Sequence, residues 1–251
     1  MKPEENIIKI KGFLNRLSQN GKKIKIYKKE ENPQKYFKEV DIRVNLDEFK
    51  DIILEEETGL ELGGPERKSF SIIYPLKDSN LLDDGKIVLI GPEINEQSVK
   101  ALDFGIVILI GTDSENNFDE FRSTTFISNG IEGFMIRTIP RRFWCRISSS
   151  VICKISFKFL ANAILYLYNT KFGSLIRSIE IILINSELDI INSFIGMTSS
   201  IQNEINLKWK EKVSEWKRRI DCDFDWECND CPYYDVCEDI KEVLEKREVL
   251  D

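Results

Sequence analysis

The stretch FGIVILI, residues 104–110, indicates the fold class most directly, because it is a continuous apolar run rich in β-branched side chains. Such a run predicts a buried strand. Apolar runs or alternating patterns predict four further strands: SFSIIY (69–74), KIVLI (86–90), RFWCRIS (142–148) and IEIILI (179–184). The sequence DDGK before KIVLI predicts a tight turn, since Asp-Gly tolerates the positive φ that such turns need.

Two helical segments are predicted in the second half of the chain. Residues 155–168 place Phe159, Ala163 and Leu167 at helical spacing, and residues 188–215 are expected to be mostly helical. Strands of this kind together with such helices predict an α+β fold, in which a mixed sheet packs against helices. A cysteine-rich, cluster-binding tail is expected to complete the chain at its C-terminal end.

Three regions are expected along the 251-residue chain. A charged N-terminal substructure spans 1–57, an α+β domain spans 58–219, and the cysteine-rich tail spans 220–251. Within the first region, KKIKIY (22–27) and DIRVNL (41–46) alternate as short strands do, and residues 46–54 carry apolar side chains at helical spacing.

Composition excludes several kinds of site. The chain has no histidine, which rules out Ser-His and Cys-His nucleophile pairs and histidine-ligated zinc. A net charge of −7 disfavours nucleic acid as a partner. The charged start MKPEENIIKIKGF lacks the apolar segment of a signal peptide, and the apolar stretches are too short to span a bilayer. We therefore expect a cytoplasmic protein that binds neither nucleic acid nor membrane, in a compartment where thiols stay reduced.

Four of the six cysteines lie close together near the C-terminus. Cys222, Cys228, Cys231 and Cys237 follow the spacing C-x5-C-x2-C-x5-C, which lets four thiolates converge on one metal centre. Both zinc and a [4Fe–4S] cluster accept four thiolates. The five-residue gap before the last ligand, Pro232 after a ligand, and a helix expected from Glu238 onward favour the iron–sulfur cluster, with zinc as the alternative. Cys145 and Cys153 lie in apolar segments and are expected to be core residues.

Several blocks of the sequence resemble one known family. ELGGPERKSFSIIYPL (61–76), DDGKIVLIGPEI (83–94) and IEGFMIRTIPRRFWCRIS (131–148) resemble the β subunit of the archaeal carbon monoxide dehydrogenase/acetyl-CoA synthase complex, in the same order. The resemblance extends over roughly residues 60–240 and implies a protein partner in such a complex, or in a related redox complex of anaerobic one-carbon metabolism.

The resemblance also implies what this chain lacks. In the family, the matched region precedes a domain in which a [4Fe–4S] cubane is bridged to two nickel ions, and a C-G-C motif binds the distal nickel. Cys228 and Cys231 match the C-x2-C of the cubane site, whereas this sequence has no C-G-C. An accessory iron–sulfur protein is therefore expected rather than a complete acetyl-CoA synthase. There are two alternatives: an enzyme with a reduced form of the family's activity, and an interaction module whose fold is held together by zinc or a cluster. No catalytic residue is assigned.

One basic and aromatic cluster could bind an anion. Alternation along the predicted strand 142–148 places Arg142, Trp144 and Arg146 on one face. Two arginines and a stacking aromatic ring could hold a nucleotide-like cofactor such as coenzyme A. The alternative, which we favour, is a solvated strand face on which the arginine stems cover the tryptophan.

Overall fold

The computed structural model describes most of the chain before residue 200. The described ranges are 3–22, 24–50, 52–64, 66–77, 79–96, 99–113, 118–139, 142–185 and 187–199. The chain divides into two compact units, Met1–Ser199 and Ser200–Asp251, and every described residue lies in the first. The boundaries expected from the sequence, at 57/58 and 219/220, stay predictions.

Within the described residues the chain forms nine strands and six α-helices, besides three single-turn 3-10 helices. The strands are β1 (Ile24–Lys28), β2 (Thr58–Gly63), β3 (Ser69–Leu76), β4 (Lys86–Ile90), β5 (Ala101–Leu102), β6 (Phe104–Thr112), β7 (Phe134–Ile139), β8 (Arg142–Ser148) and β9 (Ile176–Asn185). The helices are α1 (Pro3–Gln19), α2 (Pro33–Val40), α3 (Phe118–Phe121), α4 (Thr125–Ser128), α5 (Phe157–Phe172) and α6 (188–199). Among the described helices, none is both long and apolar enough to cross a membrane.

The larger sheet has five strands in the order β1-β4-β9-β6-β3. β4 pairs with β9 in parallel, as β3 does with β6, whereas β1–β4 and β6–β9 are antiparallel. All nine residues of β6 are buried. A strand covered on both faces reads as an unbroken apolar run, which explains the sequence FGIVILI. The expected α+β fold with a mixed sheet is therefore confirmed.

Helices cover both faces of this sheet. Phe104, Ile106 and Ile108, which alternate along β6, belong to the same core cluster as the buried side of α5. Phe70 of β3 instead stacks on Phe194 of α6, with ring centroids 5.8 Å apart. Phe13 of α1 meets the same Phe194 ring edge-on, so α1 and α6 pack together against this part of the sheet.

An ion pair with a buried carboxylate also holds α1 in place. Glu180 lies in β9 and is almost fully buried. Its Oε1 accepts a hydrogen bond from Nζ of Lys11 in α1 at 3.0 Å and another from the backbone N–H of Asp83. The carboxylate thus joins the N-terminal helix, a central strand and the turn before β4.

The smaller sheet has four strands in the order β5-β2-β8-β7. β2 pairs with β5 in parallel and with β8 antiparallel, and β7 pairs antiparallel with β8. Leu62 of β2, Cys145 of β8 and Phe134 of β7 join the core that also contains β6 and α5. The two sheets therefore share one hydrophobic core.

Most strand predictions are confirmed, and two predictions in the N-terminal region are wrong. Residues 41–46 form no strand, since only Val44 makes an isolated bridge, to Ile131. Residues 46–54 form no helix in their described part. Phe49 and Ile53 are buried as expected of an apolar stripe, but they anchor an irregular segment. The backbone N–H of Phe49 donates to the distant carbonyl of Asn129, so hydrogen bonding across the fold replaces the helix.

Candidate functional site

Trp144 and Arg146 lie together on β8, as the alternation predicted. The guanidinium carbon of Arg146 is 5.0 Å from the centroid of the Trp144 ring. This distance corresponds to a cation–π contact. Arg142 begins the same strand, and its side chain lies outside the part of the structure that is described.

The guanidinium of Arg146 is held by other groups of the protein. Its Nε donates to Oε1 of Glu61 at 2.8 Å, and its Nη1 donates to the carbonyl oxygen of Ile53 at 3.1 Å. Arg146 is only 8% exposed. An incoming anion would have to displace Glu61, so this arrangement favours the interpretation in which the arginine covers the tryptophan. Anion binding by Arg142, Trp144 and Arg146 stays a prediction.

A pair of glycines lets β2 approach β8 at this point. Gly63 has φ +73° and Gly64 has φ +113°, values that other residues rarely adopt. A Cβ atom on Gly63 would overlap the carbonyl oxygen of Phe143, and one on Gly64 would lie 3.3 Å from the ring of Trp144. The glycines at the end of β2 therefore also provide a contact surface for the tryptophan.

An open cleft of about 490 Å³ lies beside Glu61. Its lining residues, mostly charged, are Glu55, Glu56, Thr58, Glu61, Lys100 and Ala101. Three carboxylates and one ammonium group make this a poor place for a phosphate-bearing ligand such as coenzyme A, because like charges repel. No group of three or more His, Cys, Asp or Glu side chains among the described residues is arranged to hold a metal ion.

The cysteines divide into two classes. The predicted metal ligands Cys222, Cys228, Cys231 and Cys237 lie outside the described residues. Cys145 is completely buried, as expected, and burial, with the nearby Glu61 carboxylate, raises the pKa of its thiol well above the usual value.

Cys153 is exposed, so its prediction as a core residue is wrong. It lies in the turns between β8 and α5, where neighbouring Val151 and Ile155 are the buried residues.

The sequence blocks that carry the family resemblance meet in the structure. In the β2–β8 ladder, Glu61 of ELGGP lies opposite Arg146, and Gly63 lies opposite Trp144. The family model described as "CO dehydrogenase/acetyl-CoA synthase complex beta subunit" matches residues 48–190, more than half of the chain. The chain belongs to this family.

A curated member of the family gives the extent of the similarity. The acetyl-CoA decarbonylase/synthase complex subunit beta of Methanopyrus kandleri is 31% identical over 135 residues. The aligned stretch covers 51% of this chain and 28% of the relative. The family match ends at residue 190, short of the 240 expected from the sequence blocks, and so before the four clustered cysteines.

Proposed function

We propose that this chain is a [4Fe–4S] protein of the carbon monoxide dehydrogenase/acetyl-CoA synthase β-subunit family with an accessory role, either docking to a partner or transferring electrons. The observation that carries the proposal is the spacing C-x5-C-x2-C-x5-C at Cys222, Cys228, Cys231 and Cys237. Membership of the family supports a setting in a multi-subunit complex, since the curated relative is described as a subunit of one.

The donor set suits an iron–sulfur cluster chemically. Four thiolates supply all the protein ligands that a cubane needs, and a chain without histidine offers no mixed nitrogen–sulfur site. When bound, the cluster would supply one-electron chemistry and would fix the tail, because metal binding contributes folding free energy. The cysteines themselves would act as ligands and not as nucleophiles. A four-thiolate zinc site is the alternative metal centre.

A second candidate function is a reduced enzyme acting on carbon monoxide, a methyl group or a thioester. The observation that favours it is the match to a subunit whose printed name is that of an acetyl-CoA decarbonylase/synthase. The donor set argues against it, because the sequence has no C-G-C motif to hold a second nickel ion. We therefore prefer the accessory role.

The ligand assignment is tested by cysteine substitution in anaerobically purified protein. Cys228→Ser and Cys231→Ser should each abolish cluster assembly. Assembly is measured as iron per chain and as absorbance at about 400 nm. The matched control is Cys153→Ala, an exposed cysteine outside the motif, which should leave the iron content unchanged. If Cys153 proves essential while Cys222 is dispensable, the fourth ligand has been assigned wrongly.

A further inference from the structure

The strand β1 lies at an open edge of the larger sheet. It pairs with β4 on one side, and the sheet order places no described strand on its other side. Ile26, in the middle of β1, is 63% exposed, whereas the strand at the opposite edge, β3, is almost entirely buried. An edge strand carries a row of unpaired N–H and C=O groups, which makes it a template for another strand.

The register of the β1–β4 ladder shows which backbone groups of β1 face outward. The N–H of Lys29 donates to the carbonyl of Gly85 at 2.7 Å, in the same register as the ladder. Because alternate residues of an antiparallel pair exchange the hydrogen bonds, the backbone groups of Ile24, Ile26 and Lys28 point away from β4. Within the described part of the chain, these outward groups have no hydrogen-bond partner.

The charge around β1 indicates which strand it can accept. Residues 22–29, KKIKIYKK, carry five lysines and no acidic residue. Three of these lysines make ion pairs at the protein surface, which are worth little and can exchange for other partners. No described carboxylate forms an ion pair with Lys28. The lysines therefore disfavour pairing with a second copy of β1, because like charges repel, and favour an acidic strand.

We propose that β1 binds an extended acidic segment of a partner protein, which adds a sixth strand to the larger sheet. Side chains alternate along β1, so Ile24 and Ile26 share one face and Lys25 lies on the other. The segment that fits this pattern alternates aliphatic and acidic residues. This inference rests on the proposed docking role and assigns it a surface, which lies outside the stretch 48–190 that matches the family.

The charge preference is tested with the full chain and fluorescein-labelled peptides in about 0.15 M salt. Fluorescence anisotropy should show EVEVEVE binding most tightly, ESESESE several-fold more weakly and KVKVKVK not at all. No binding of EVEVEVE, or equal binding of KVKVKVK, would overturn the proposal.

N-methylated peptides distinguish strand addition from attraction between charges alone. Only alternate N–H groups of an added strand face β1. Methylation of one set of amides in EVEVEVE, either the valines or the glutamates, should weaken binding by about tenfold or more, and methylation of the other set should leave it within about threefold. Equal effects of the two methylations would overturn the proposal.

The variant Ile26→Pro tests the same contact from the side of the protein. Proline lacks the outward N–H of residue 26, which the ladder with β4 does not use, so EVEVEVE binding should weaken by about tenfold or more. The matched control Ile26→Thr keeps the N–H and a β-branched side chain, and its binding should stay within about threefold of the unsubstituted chain.

Equal binding by the two variants would overturn the proposal. So would a dimer of the chain that Ile26→Pro converts to a monomer, because the edge would then pair with a second copy. The iron content of both variants should equal that of the unsubstituted chain, so a failed docking test leaves the cluster assignment intact.

Discussion

At the scale of single residues, Arg146 connects three parts of the chain that are distant in the sequence. It bonds to Glu61 and to the Ile53 carbonyl while covering Trp144. That Trp144 and Arg146 share a face was predictable, because alternation places residues two apart on one side of a strand. Glu61 was not predictable as the partner, since a cross-strand neighbour depends on pairing and register, which a single sequence does not fix.

We expect Arg146→Met to lower the free energy of unfolding by about 2 kcal/mol, because it removes the charge-assisted hydrogen bond to the partly buried Glu61 carboxylate and the bond to the Ile53 carbonyl. The double variant Arg146→Met/Glu61→Leu should recover part of that loss. Arg177→Met is the control, since it breaks only the exposed pair with Asp113 and should cost less than about 1 kcal/mol. Urea unfolding measures the free energy of unfolding of all three variants. A cost for Arg146→Met no larger than that for Arg177→Met would contradict the structural role given to Arg146.

The two cysteines outside the tail should differ in reactivity. Iodoacetamide should alkylate Cys153 readily in the folded protein and leave Cys145 unmodified at mildly alkaline pH, since burial both shields the Cys145 thiol and raises its pKa. Trypsin cleaves after Arg142, Arg146 and Lys154, so mass spectrometry reads the two sites on separate peptides. Comparable labelling of both cysteines without denaturant would show that β8 is not buried as described.

At the scale of elements, the strongest sequence signals correspond to the central strands. KIVLI and RFWCRIS match β4 and β8 residue for residue, because burial demands β-branched or alternating side chains at each position. The N-terminal region was predicted less well. α1 was missed because charged residues such as Lys9 and Lys11 are interspersed with its buried residues Ile7 and Ile10, and the irregular segment 46–54 was mistaken for a helix. The helix α1 and the irregular conformation of 46–54 both depend on contacts with distant parts of the chain, which a local sequence pattern does not show.

The docking of α1 gives a prediction at this scale. Lys11→Met should lower the free energy of unfolding by roughly 3 kcal/mol, because it leaves the buried Glu180 carboxylate without its cation. Glu180→Gln should cost less, since the amide oxygen can still accept from the Asp83 N–H and Lys11, which is partly exposed, can turn to solvent. Urea unfolding measures the stability of both variants, and hydrogen exchange measures the protection of α1 in each. If Glu180→Gln lowered the free energy of unfolding more than Lys11→Met does, the Lys11–Glu180 pair would not be what holds α1 in place.

At the scale of the whole molecule, family membership and the metal centre rest on different parts of the chain. The family match covers residues 48–190, where α5 and all described strands except β1 lie, and the fold class was predictable there from hydrophobic patterning. The cysteines that carry the proposed function lie beyond that match, and the metal proposed for them rests on the sequence alone, that is, on ligand spacing, Pro232 and the helix expected from Glu238. Spacing specifies four thiolates but separates iron from zinc only weakly, because both metals accept them.

Enzymatic activity is also a property of the whole molecule. We predict that this 251-residue chain does not exchange labelled carbon monoxide with the carbonyl of acetyl-CoA, even after nickel loading under strict anaerobiosis. The family resemblance implies that this chemistry uses a dinickel site that depends on C-G-C thiolates, and this sequence has neither that motif nor histidine as a substitute ligand. Exchange clearly above a control with nickel alone would favour the reduced-enzyme alternative.

The most direct test of the central claim is the metal content of the anaerobically purified chain, measured with acid-labile sulfide and with EPR of the reduced protein. The account predicts about four irons and four sulfides per chain and the EPR signal of a reduced cubane. One tightly bound zinc per chain, with no iron and no sulfide, would contradict it and would make the tail a structural zinc site.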